Sequence, residues 1–157
     1  MTESERNRQK LQGFLEDKLK WHEYTHLVVA DDDMPKAEWF IHTIGLARSS
    51  LPELILTGAL DHSLAMDVIG DVVAYLKARG DTPSGPIDAP GDAVRLPVRL
   101  VDATTPFVLA QRVAQASSRF GAHIRVLQIL WADENGLFPD DPAYDQAAHP
   151  QQWLAEG

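Results

Sequence analysis

The chain has 157 residues, 45% of them apolar, enough for one domain with a core of its own. It has no cysteine, which excludes disulfides, thiolate nucleophiles, Cys-based zinc sites and iron–sulfur clusters. With 14 Lys and Arg against 23 Asp and Glu, the formal charge is −9. That balance argues against a nucleic-acid partner. No apolar run approaches the roughly 18 residues that span a bilayer, and the first residues, MTESERNRQKLQ, are polar. A soluble cytoplasmic protein is the expectation.

Residues 3–20 predict a charged helix, with Leu11, Phe14, Leu15 and Leu19 at helical spacing. Residues 26–30 predict a short strand, ended by the turn-forming run Asp31-Asp32-Asp33-Met34-Pro35. Residues 38–44 and 53–57 predict two more strands, each followed by a glycine. Asp61 or Ser63 can cap a helix over 63–79, whose apolar face is Ala65, Val68, Ile69, Val72, Val73 and Leu76. Gly80 suits its C-terminal cap. Residues 81–92 hold three prolines and two glycines and predict a loop.

Residues 93–103 alternate apolar and polar, and Pro97, which cannot donate to a ladder, predicts an edge strand or a bulge. Thr104 or Thr105 caps a helix with Pro106 in its first turn, expected to run unbroken to about Phe120 and end at Gly121. Residues 124–131, IRVLQILW, are the most apolar strand and should be central, covered on both faces. The fold expected is α+β, a single domain with a mixed sheet of about five strands and helices packed on it. The domain divides as an N-terminal helix over 1–23, a body over 24–145 and an acidic tail over 146–157.

Three stretches carry a family resemblance. They are Phe40-Ile41-His42-Thr43-Ile44-Gly45-Leu46, then Leu51-Pro52-Glu53-Leu54-Ile55, then Val126-Leu127-Gln128-Ile129-Leu130-Trp131-Ala132-Asp133 running into Gly136-Leu137-Phe138-Pro139. Together they resemble the bacterial family called domain of unknown function 4262, over about residues 24–145. The family pattern has Tyr where this chain has His42, His where it has Leu51, and often Trp where it has Asp140. The resemblance implies a shared fold and brings no activity with it.

Candidate chemistry is sparse. His22-Glu23-Tyr24-Thr25-His26 matches H-E-x-x-H, a zinc motif only when one helix carries both histidines. Here His26 opens a predicted strand, so two boundary histidines are expected and no metal site. The runs Asp31-Asp32-Asp33 and Asp133-Glu134-Asn135-Gly136 lack calcium-loop spacing and predict turns. There is no nucleophile elbow and no phosphate-cradling glycine loop.

A polar site is conceivable where the second and third strands meet. A short antiparallel connection would bring Thr43 and His42 near Glu53, as an acid–base pair or as a brace for the loop. Gln128, mid-strand in an apolar run, is either a structural anchor or a pocket-lining group. Trp131 and Phe138 are expected to pack the C-terminal stretch onto the sheet.

Beyond Arg125 there is no Lys or Arg, while Asp133, Glu134, Asp140, Asp141 and Asp145 crowd thirteen positions. Two functions follow. The first is a non-catalytic binding protein of immunity or antitoxin type, using that acidic surface to engage a basic protein. The second is a small-molecule-binding protein or enzyme with a pocket around His42, Thr43, Glu53, Gln128 and Trp131. Neither requires a cofactor.

Overall fold

The computed structural model describes residues 1–121 and 123–155. Helix α1 (Glu3–Trp21) starts with a capping box, in which Thr2 accepts from the Glu5 amide and the Glu5 carboxylate accepts from the Thr2 amide. Strands β1 (Thr25–Val29), β2 (Phe40–Ile44) and β3 (Glu53–Thr57) follow. Helix α2 (His62–Arg79) is capped by the Asp61 side chain and closed by Gly80 at φ 81°. Then come β4 (Ile87–Asp88), β5 (Val98–Asp102), α3 (Pro106–Gln111), α4 (Ala114–Phe120) and β6 (Val126–Trp131).

The six strands form one mixed sheet in the order β1-β2-β3-β6-β5-β4, with β3 and β6 parallel and the other neighbours antiparallel. The expected α+β class holds, with one more strand than the sequence suggested. Strand β6 lies inside the sheet and all six of its residues are buried, as its near-continuous apolar run requires. One face carries Ile41, Leu54, Leu56, Leu127, Ile129 and Trp131 under α2. The other carries Phe40, Ile44, Ile55 and Val126 against α1, α3, α4 and Leu154. Among the described residues no helix is long and apolar enough to cross a membrane.

Two expectations are corrected. The strand over 93–103 shrinks to Val98–Asp102, because the ladder can begin only after Pro97, which has no N–H. Nor is it an edge: β4, inside the stretch expected to be loop, pairs with it through Leu100 and Arg99. The single helix over 106–120 is two, broken at Arg112 and Val113. There the Val113 amide bonds the Val108 carbonyl, five residues back, and the fully buried Val113 is drawn into the core. Ser117 Oγ donates to the Leu109 carbonyl at 2.7 Å, satisfying an acceptor that the break frees. The C-terminal residues pack onto the body of the domain. Gln151 and Leu154 are buried, and the Gln152 amide bonds the Ala37 carbonyl. Gly58, at φ 101°, lets this segment approach: a Cβ there would stand 2.5 Å from the Pro150 carbonyl oxygen.

Candidate functional site

Glu53 opens β3 and is fully buried. Its carboxylate accepts four hydrogen bonds, from Thr43 Oγ1 at 2.8 Å and from the amides of Gly45, Leu46 and Ala47 at 3.1–3.2 Å. Thr43 Oγ1 in turn accepts from the Leu54 amide at 2.9 Å. The three amides begin the short 3-10 turn Leu46–Ser49, so the carboxylate neutralises a set of orphan donors. Burial pushes the Glu53 carboxyl up, and the four donors pull it back. Gly45, at φ 124°, makes the turn possible: a Cβ there would lie 2.5 Å from the Glu23 carbonyl oxygen. Thr43 and Glu53 therefore meet as the sequence suggested, and the geometry is that of a brace. No oxygen of this carboxylate is left to meet a substrate.

His42 does not join them. It lies in a cross-strand row Leu27–His42–Ile55–Gln128–Val101, all on one face, whereas Thr43 follows Ile41 on the α2 face. His42 Nδ1 sits 3.0 Å from the Thr43 carbonyl oxygen, which can only accept, so Nδ1 carries the proton. The ring stacks on Phe40 at 6.0 Å. Burial pushes its pKa below the ordinary imidazole value of 6.5, against the raising effect of that backbone bond.

The sign for stability follows. As pH falls below about 6.5, the unfolded imidazole takes a proton that the folded one refuses, so stability falls down to the folded pKa. His42→Gln is expected to remove up to about 1.4 kcal/mol per pH unit from that slope. Urea denaturation of both chains between about pH 7 and pH 5 checks it. His26, also lowered by burial and by His62 and His42 nearby, retains its own share.

Gln128 spends its whole amide on β3 and the C-terminal segment. Nε2 donates to Thr57 Oγ1 at 3.0 Å and to the Gln152 carbonyl at 2.6 Å, while Oε1 accepts from the Leu154 amide at 2.8 Å. Trp131 lies on the opposite face, its indole N–H donating to the Thr57 carbonyl at 2.9 Å. Gln151 bonds both the amide and the carbonyl of Trp131, extending β6 by side chain. The pocket imagined around His42, Thr43, Glu53, Gln128 and Trp131 is thus divided between two faces of the sheet. His42 and Gln128, which share a face, stand two strand spacings apart, about 10 Å.

The acids behave differently from one another. Asp133 is buried, and its carboxylate accepts from the amides of Asn135, Leu137 and Asp145. Desolvation pushes this carboxyl up, but the amide donors win and hold it below the usual carboxylate range. Asp140 is gripped by Arg99 at 2.7 and 2.8 Å, and Arg99 also holds Asp88 at 2.6 Å and lies 4.4 Å over the Phe138 ring. The expectation that these acids lack a compensating cation is therefore corrected for Asp140 alone. Asp141 caps its own turn through the Ala143 amide. Phe138 packs with Val101, Leu130 and Ala132 as expected.

His22 is the C-terminal cap residue of α1 at φ −127°, and His26 lies in β1, so the two do not stand one helical turn apart. Sequence reasoning missed Arg48 and Gln151. Arg48 donates to the carbonyls of Leu19, His22 and Glu23, closing the end of α1 from 25 to 29 residues away. No local pattern marks either residue, because the end of α1 that Arg48 closes and the Trp131 backbone that Gln151 holds are distant in the chain.

A family model described as Domain of unknown function (DUF4262) matches residues 19–145. The chain belongs to the DUF4262 family. No curated protein and no solved structure matches it. The residues that carried the resemblance are mostly framework. Thr43, Gly45, Leu46 and Glu53 form one braced turn, and Gln128, Trp131, Asp133 and Phe138 lock the C-terminal third of this DUF4262 chain onto its sheet.

Proposed function

We propose that this DUF4262 chain is a non-catalytic binding protein of the bacterial cytoplasm, of immunity or antitoxin type, that receives a basic protein partner on one end of its sheet. Carboxylates without a Lys or Arg partner, gathered at that end, carry the reading. Strands β1, β3 and β6 all finish there, and their following loops hold Asp31, Asp32, Asp33, Glu38, Asp61, Glu134, Asp141 and Asp145. Lys36 is the one Lys or Arg on those loops. Among the described residues none of the eight acids pairs with a Lys or Arg. Inside the domain, the Thr43, Glu53, Gln128 and Asp133 side chains are consumed by internal hydrogen bonds.

Such a field attracts cations over a distance set by salt, about 8 Å at 0.15 M and about 3 Å at 1 M. It acts mainly on the rate of encounter. A fluorescent Lys- and Arg-rich peptide is expected to associate with the protein at a rate that falls steeply with salt. Changing Asp61, Glu134, Asp141 and Asp145 together to Asn or Gln should slow association about tenfold or more and leave the unfolding midpoint nearly unchanged. Stopped-flow mixing of that peptide with both chains checks it. A rate indifferent to salt and to the four substitutions overturns the reading.

A further inference from the structure

Natural sheets blunt their edges with charge, proline, a bulge or brevity, because an open edge pairs with any strand that reaches it. The β4 edge is two residues long. The β1 edge has none of these protections. Thr25-His26-Leu27-Val28-Val29 pairs residue for residue with β2, without a bulge, and contains no Lys, Arg, Asp, Glu or Pro. Among the described residues, no backbone N–H or carbonyl of Thr25–Val29 bonds outside that pairing. Val28 is 46% exposed and Val29 38%, and Trp21, a few residues before the strand, is 74% exposed.

We propose that β1 pairs antiparallel with β1 of a second copy of this chain, making a two-fold symmetric dimer with one continuous sheet. Charge chooses the occupant and its direction. Lys18 and Lys20 lie in the last turn of α1, Glu23 between that turn and β1 is neutralised by Lys77 at 2.6 Å, and Asp31, Asp32 and Asp33 directly follow the strand. Antiparallel pairing brings the leading end of one β1 to the trailing end of the other. The basic turn of each copy then faces the aspartate run of its partner, twice over by symmetry. Parallel pairing would set like charges together. The dimer does not rest on the proposed function: it would take up Asp31, Asp32 and Asp33, three of the eight acids, and leave Asp61, Glu134, Asp141 and Asp145 at the acidic end.

Sedimentation equilibrium of the full chain over a range of concentrations tests this. The expected species is a dimer. Val28→Lys with Val29→Lys, both at exposed positions, should give a monomer with an unaltered far-ultraviolet spectrum. Reversing Asp31, Asp32 and Asp33 to Lys should raise the dimer dissociation constant about tenfold or more, and adding Lys18→Glu and Lys20→Glu should restore it. This charge swap stands even if the valine variant fails to fold. A monomer at every concentration overturns the proposal, as does a dimer that ignores the charge reversal.

Discussion

Glu53→Ala is expected to lower the unfolding free energy by about 4 kcal/mol, near the top of what one substitution does. The carboxylate satisfies one hydroxyl and three backbone amides, all close to or within the core. Each donor left without a partner costs about 1–3 kcal/mol, reduced where water can enter the space. Glu53→Gln should cost about half as much, since its carbonyl oxygen can keep part of the set while its amide nitrogen faces donors. Thr43→Val should be milder again, because the three amides keep their acceptor. Urea denaturation of the three variants gives the order. Equal, small losses for all three would mean that the turn does not depend on this carboxylate.

Gln128→Leu is the second large effect, about 3 kcal/mol. Its amide is the clamp that holds residues 151–155 against β3 and β6. Leucine fills the space but leaves the Leu154 amide unsatisfied and takes from the Gln152 carbonyl one of its two donors, Thr57 Oγ1 being the other. The loss should be local before it is global. Leu154 should leave its place against Ile55 and Val126, and protease should cut near residues 146–155 while α2 stays intact. Amide exchange checks this: faster exchange at Leu154 with little change at Val72 or Ile69 is the expected pattern. Uniform acceleration throughout the domain would show that the segment has no separate anchor.

Where pattern and partner are close in the chain, the fold was legible. The apolar run of β6 placed it in the middle of the sheet, and the eight-residue gap between Ile44 and Glu53 foretold the meeting of Thr43 with Glu53. Asp61, Thr105 and Gly80 acted as the caps they resemble. Strand periodicity also held the warning that His42 and Thr43, being adjacent, must face opposite ways. The break at Arg112 and Val113 had no such signal, since neither proline nor glycine marks it; long-range burial of Val113 decides it. Arg99 was equally hidden, because its grip on Asp88 and Asp140 joins segments 11 and 41 residues away.

The central claim is that the domain's polar interior is framework and that its recognition lies on the acidic end of the sheet. Amide chemical-shift mapping of isotope-labelled protein with the Lys- and Arg-rich peptide tests it most directly. The account predicts shifts at Asp61, Glu134, Asp141 and Asp145, fading as salt rises, with Thr43, Glu53 and Gln128 unmoved. A different hollow, of about 450 Å³, opens at the other end of the sheet between Glu23, Ser49, Ser50, Leu51, Lys77 and Thr82. Shifts confined to those residues, or none at the acidic end, would contradict the account.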